Sequence, residues 1–425
     1  MVIGTTPGSA RGGTFRSLQV RNFRLFFLGQ LVSVTGTWMQ TVAQNWLVLS
    51  LTGSGVALGI TVALQFLPTL LFGLWGGLVA DRFDKRRVLI ATQIVPAVLA
   101  VVMGLLVATG SAQLWMVYGL AFLLGVVHMV DMPTRQAFVM EMVGPDEIAN
   151  AVALNSAMFN TGRLLGPAAA GVLIATAGIA PSFLINAVSF LAVIAGLVAM
   201  RPDDLFRQAP APRARGDVRA GLRYVWTSPA LRPPLLLVAV IGTFGFNFAV
   251  VLPLLARFSF GGGARMYGVL TSLMALGSLL GALFAASRAR PTRPVLLRSA
   301  AAFGALTVAA GLIPSPVVLA PVLVAVGAAM MVFLATANAT LQLNTDATMR
   351  GRVMALYGLV FLGTTPLGGP LLGWIGETWG ARAGLGFAGG VSLAAAAAAM
   401  VAASRDPGGL RAGGPPALVV DEAAA

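Results

Sequence analysis

The chain has 425 residues, 57% of them apolar and only 10% charged, against about 45–50% and about 25% in soluble domains, so a water-soluble globule is excluded. It carries 28 Lys and Arg against 14 Asp and Glu, a net charge of +14, with one histidine and no cysteine. Disulfides, thiolate chemistry and cysteine-ligated metals are excluded with the cysteines.

The first 24 residues hold Arg11, Arg16, Arg21 and Arg24, and Met1–Gly13 reads as disordered. No charge then occurs from Leu25 to Ala80, too long for one crossing of about 20 residues. A turn at Thr52–Gly55 splits it into spans at Leu25–Leu51 and Val56–Ala80. The first run is too long for a cleaved signal and lacks an Ala-x-Ala exit, which predicts a retained helix. Four further apolar stretches follow at Val88–Thr109, Leu114–Val130, Ala151–Ala177 and Ser182–Met200.

Residues 201–232 divide the chain. They hold seven arginines and the Ala-Pro-Ala-Pro stretch Ala209–Pro212. Within them, Val218, Leu222 and Val225 share one face of a predicted helix opposite Arg219 and Arg223, a pattern that suits a helix in the membrane interface. Six more spans follow at Pro234–Ala256, Tyr267–Ala286, Val295–Ile313, Val317–Leu341, Val353–Gly373 and Ala383–Ala403. The tail from Pro407 to Ala425 reads as disordered.

The basic residues fix an orientation. Arg82, Lys85, Arg86 and Arg87, then Arg135, the linker arginines, Arg288–Arg298, Arg350 and Arg352, and Arg405 and Arg411 all fall in alternate gaps. Only Arg257, Arg265 and Arg382 occupy the other gaps, and only Arg163 lies within a span. Loops rich in Lys and Arg stay cytoplasmic, so both termini are expected inside, with the basic face meeting anionic lipid rather than nucleic acid. The expected architecture is an all-α membrane protein of twelve transmembrane helices. It has a six-helix half at 25–200, the linker at 201–232, a second half at 233–404 and a tail at 405–425. Gly166-Pro167 and Gly369-Pro370 stand at the same place in each half, as in an internal duplication.

The gap after span two reads Gly76-Gly-Leu-Val-Ala-Asp-Arg-Phe-Asp-Lys-Arg-Arg-Val88. It resembles the loop-two signature of the major facilitator superfamily at Gly77, Asp81, Arg82, Arg86 and Arg87, with Asp84 where glycine is usual. The resemblance implies a conformational latch, in which Asp81 meets the end of a helix from the other half. The second-half counterpart, Gly281–Arg288, lacks the acid. Gly162, Gly166, Pro167 and Gly171 in span five are similar to a glycine-proline element of the superfamily's antiporters, and equally to generic small-residue packing. With Asp131-Met-Pro-Thr-Arg-Gln136, Asn155-Ser156, Arg350–Met354 and Pro366–Gly368, the run resembles the branch of bacterial exporters that includes the enterobactin exporter.

Charge within the membrane is costly unless paired or hydrated, so Arg163, His128 and Asp131 are the candidates for coupling. Arg163, roughly 18 Å into span five at about 1.5 Å per residue, reads as a structural anchor or a substrate or coupling residue. His128, which could titrate near neutral pH, also reads as a packing residue. Asp131 reads as an ion-pair partner of Arg135 or Arg163, or as a proton carrier. No acid sits at mid-membrane depth. Gln30, Ser33, Thr37, Thr41 and Gln44 form one polar face of span one, expected to look into a cavity or onto another helix. The superfamily resemblance places spans one, four, seven and ten around a central cavity. Asn247 and Asn338 add polar candidates there, and Trp38, Phe244 and Phe246 apolar ones.

No Walker loop, metal-ligand cluster or catalytic triad is present in the sequence, so no enzyme and no cofactor are expected. The reading is a monomeric secondary transporter of the inner membrane, exporting a small apolar or amphiphilic compound (drug, antibiotic or siderophore) by alternating access, against protons. The alternatives are a nutrient importer of the same fold and a non-transporting scaffold or sensor.

Overall fold

The computed structural model describes residues 15–206, 218–288, 291–346, 348–363 and 365–405. Both tails expected to be disordered, and linker residues 207–217, lie outside the described residues. Every regular element among the described residues is helical. The first half comprises α1 (Arg21–Thr52), α2 (Gly55–Arg82), α3 (Lys85–Ala108), α4 (Leu114–Val143), α5 (Ile148–Ala177) and α6 (Ala180–Val198). A short α7 (Val218–Thr227) follows, then α8 (Arg232–Gly245), α9 (Phe248–Leu254), α10 (Ala264–Ala286), α11 (Arg293–Leu312), α12 (Pro316–Leu343), α13 (Arg350–Gly363), α14 (Thr365–Thr378) and α15 (Ala381–Arg405).

Among the described residues, 10 segments are long and apolar enough to cross a bilayer, counting Arg232–Ser259 and Arg350–Thr378 as single crossings. Helices α1 and α5, at 32 and 30 residues, have the length but not the apolarity. They pack against each other: a Cβ at Gly162 would lie 2.7 Å from the Val34 side chain, and one at Gly166 2.6 Å from that of Trp38. Their more polar faces thus shelter one another, and with these two helices counted the architecture is consistent with the twelve crossings expected.

Three boundaries differ from the expectation, each for a local reason. Span four continues past Val130 to Val143, straight through Pro133. Proline cannot bond to the carbonyl four residues back, which is that of Met129, and Gly76 of α2 lies against that oxygen, where a Cβ would come within 2.0 Å. Span seven breaks at Phe246-Asn247 and ends in a π turn at Leu255–Ser259. Span eleven is two helices, α13 and α14. Of the face expected on the linker helix, Val225 is 1% exposed but Leu222 is 47% exposed. The helix docks instead through Gly221 and Val225 onto Arg352, Val353 and Leu356 of α13, and the Val218 side chain lies outside the described residues.

The halves meet through two glycine-lined crossings. Between α2 and α14, a Cβ at Gly59 would lie 2.4 Å from the Gly369 carbonyl, and one at Gly373 2.1 Å from that of Gly55. Between α5 and α10, a Cβ at Gly268 would lie 2.3 Å from the Pro167 carbonyl. Both Gly-Pro pairs therefore sit at contacts between halves, one on each side. Gly59→Leu is expected to destabilise the protein by about 1–3 kcal/mol through overpacking, read as a lower melting temperature in detergent. Gly77→Leu, with nothing within 4 Å of its Cβ position, is expected to melt with the wild type. Equal melting of both variants would show that the α2–α14 crossing is slack.

Candidate transport site

Asp131 of α4 is the centre of a buried polar cluster. Its Oδ1 accepts from Thr92 Oγ1 at 2.7 Å and Gln93 Nε2 at 2.9 Å, both on α3. Its Oδ2 accepts from Arg135 Nε at 3.0 Å, and the same guanidinium donates to Gln30 Oε1 of α1. The i to i+4 spacing stacks Asp131 and Arg135 on one face of α4, so three helices are joined through one ion pair. Gln30 Nε2 and Gln93 Oε1 are buried without a partner among the described residues. Such groups are costly unless something else, such as a water, pairs with them. His128, one turn away, is exposed.

Arg163 stands midway along α5. Its guanidinium lies 5.6 Å from the centroid of the Trp38 ring, and Trp38 meets Phe159 edge-on at 5.8 Å. Among the described residues it makes no hydrogen bond and no ion pair. Pro167 and Gly171, one and two turns on, touch α10 instead.

The polar face of α1 is divided rather than continuous. Gln30 turns to Arg135, while Ser33 and Gln44 are buried. The Thr37 and Thr41 hydroxyls donate at 2.9 Å to the carbonyls of Ser33 and Thr37. Gln40 and Asn45, neighbouring that face, went unread in the sequence. Gln40 Oε1 accepts from Asn186 at 2.7 Å, and Asn45 Nδ2 donates to the Tyr267 hydroxyl at 3.1 Å across the halves. Thr92 and Gln93 were also missed, though an adjacent polar pair in an apolar helix is a legible signal.

In the second half Asn247 sits at the break of span seven, donating to the Thr243 carbonyl at 2.7 Å, with a buried Oδ1 that has no partner among the described residues. Asn338 accepts from Gln342. Phe246 contacts Phe303, Phe333 and Phe361, and Phe361 stacks on Tyr357, forming an aromatic wall. Phe244 packs on Phe387 of α15 instead.

At the loop-two motif, Asp81 is exposed and makes no hydrogen bond or ion pair among the described residues. Arg82 and Arg87 are exposed, but Arg86 donates to the carbonyls of Leu197 and Val198 at 2.6 and 2.9 Å, capping α6. Asp84 caps α3 by accepting from the Arg87 amide at 2.9 Å, and its φ of -59° is one that any residue adopts, so glycine is not needed there. The opposite end is fastened. Glu377 at the end of α14 accepts from Ser54 Oγ at 2.6 Å and the Val56 amide at 3.1 Å, at the N-terminus of α2. Arg257 donates to the Leu49 carbonyl at 2.6 Å, at the C-terminus of α1. Each charge meets the helix end of opposite sign, and each contact joins the two halves.

A family model described as transmembrane secretion effector, of the major facilitator type, matches residues 12–407. The chain is 28% identical over 270 residues to the staphyloferrin A transporter of Staphylococcus aureus, 61% of this chain and just under two thirds (66%) of that protein's length. It is 28% identical over 374 residues to the multidrug efflux pump Tap of Mycolicibacterium fortuitum, 84% of this chain and 90% of that one. To the enterobactin exporter of Escherichia coli it is 25% identical, over 83% of this chain and 85% of that one. A bacterial homologue of the human lysosomal transporter Spinster, in an inward-facing unoccupied conformation, superposes with a TM-score of 0.68 at 16% identity, covering 93% of this chain and 96% of that one.

Proposed function

The chain belongs to the transmembrane secretion effector family of the major facilitator superfamily, and from that membership we propose that it exports a small amphiphilic compound by alternating access, driven by protons. It is a multi-pass membrane transporter. The observation that carries the reading is the asymmetry of the ends: Glu377 and Arg257 clasp the halves at one end, while Asp81 at the other stands free. That asymmetry supports a carrier open to the side of the basic loops, which the positive-inside rule assigns to the cytoplasm. A cargo from the cell would enter between the aromatic wall around Phe246 and the polar cluster around Asp131. The names of the relatives, a multidrug pump and two siderophore transporters, support a medium-sized organic cargo.

The test is accumulation of a fluorescent amphiphile panel in efflux-deficient cells expressing the chain, with and without a protonophore. Lower accumulation that the protonophore abolishes is the expected result. Higher accumulation than in vector controls would mean import. Asp81→Asn is expected to slow turnover several-fold while leaving cargo binding near wild type, since the latch forms only when the basic end closes. Equal loss of binding and turnover would remove the latch role.

A further inference from the structure

We infer that Arg163 and Trp38 form an anion-binding subsite in the transport pathway, so that the cargo carries an acidic group on an aromatic or apolar body; this deepens the export reading above and rests on it. Helix α5 is held between α1 and α10, through Gly162 and Gly166 on one side and Pro167 and Gly171 on the other. Its two remaining faces differ in chemistry. One presents Thr161, Leu165 and Val172, all exposed and suited to lipid. The other presents Ser156, Phe159, Asn160 and Arg163. A cation midway along a spanning helix turns from lipid toward the interior or water, so the second face looks into the pathway.

The charge there is not neutralised from within. Asp131 is the one acid inside the first half's spans at any distance from their ends, and its oxygens are taken by Thr92, Gln93 and Arg135. Arg163 is left with the Trp38 ring alone among the described residues. The Trp38 ring, 5.6 Å away, attracts the cation through its π-electrons but accepts no hydrogen bond from it, so the N–H fork has no partner among the described residues. That fork matches the two oxygens of a carboxylate or a similar planar anion. Phe159, edge-on to Trp38 and 48% exposed, extends an apolar surface beside the fork. A lipid headgroup is a poor occupant, because the site lies near the middle of a 30-residue helix rather than at its end.

The test is binding to the purified full chain in detergent or nanodiscs, by calorimetry and thermal shift, with 1-naphthoate, its neutral amide and 1-naphthylmethylamine. The expected order is naphthoate first, by about tenfold or more over the amide, the scale of one charge-assisted hydrogen-bonded pair. Arg163→Gln is expected to erase that preference, bringing naphthoate and its amide to equal affinity, while Arg163→Lys keeps part of it. Because the three-ligand series is run on the wild type, a poorly folding variant does not void the test. The absence of a carboxylate preference, whether the ligands bind equally or none binds, overturns the proposal, as does an equal thermal shift from sodium chloride alone. A preserved preference with no export in the accumulation assay would keep the subsite and sink the direction of transport.

Discussion

Asp131→Asn is expected to destabilise the chain more than the double replacement Asp131→Asn with Arg135→Gln. The single change leaves Thr92 and Gln93 with an acceptor but strips Arg135 of its counter-charge in a site where that guanidinium is only 23% exposed. Breaking a buried pair from one side costs about 3–5 kcal/mol, whereas removing both charges is often near neutral. Partial exposure puts the single variant near the low end, about 3 kcal/mol, and a double-mutant cycle on melting in detergent measures it. If the single and double variants melt together, the pair is not coupled. Function separates a structural pair from a coupling one. Asp131→Asn mimics the protonated acid, so in the proton-driven reading it should retain cargo exchange across proteoliposomes while losing at least tenfold of pH-driven transport. Equal loss of exchange and driven transport would leave Asp131 a structural residue.

This cluster also marks how far the sequence could be read. The apolar runs and the alternation of basic gaps predict twelve crossings, because length and hydropathy are local quantities. Asp131 and Arg135 are legible as a pair because four residues on a helix is a fixed geometry. What closes around them is not: Gln30 reaches Arg135 from α1, and Thr92 and Gln93 come from α3, by packing that no spacing encodes. Arg86 is instructive in the opposite sense. Its place in the loop-two motif suggests a role between halves, yet its donors are spent on the carbonyls that end α6. Asp84, read as a departure from the motif, is a helix cap and keeps the turn without glycine. Glu377, and Arg257 beyond its place as a basic residue in an outer gap, carried no sign of joining the halves, because each is an ordinary charge near a span end until the other half is brought against it.

Those two residues carry the remaining prediction. Glu377→Gln combined with Arg257→Gln is expected to loosen the fastened end and move the population toward the state open there. A charge at a helix terminus contributes about 0.3–1 kcal/mol when exposed and up to about 2 when partly buried, so two together can shift the equilibrium by roughly tenfold. A shift of that size needs no loss of fold, because the charges act only on the difference between two states. The chain lacks cysteine, so each reporter can be introduced singly, without background labelling. Val62→Cys lies on the Gly55–Gly59 face of α2 turned to α14 and is 5% exposed. A membrane-impermeant maleimide applied to whole cells should label it several-fold faster in the double variant than in the parent. A second reporter at the basic end, Phe83→Cys (60% exposed), should label more slowly in inside-out vesicles of the double variant, since an end that closes must do so as its opposite opens. Faster labelling at Val62 without slower labelling at Phe83 would mean local fraying rather than a change of state. Unchanged labelling at both would mean that the glycine crossing of α2 and α14, not the charges, holds that end shut.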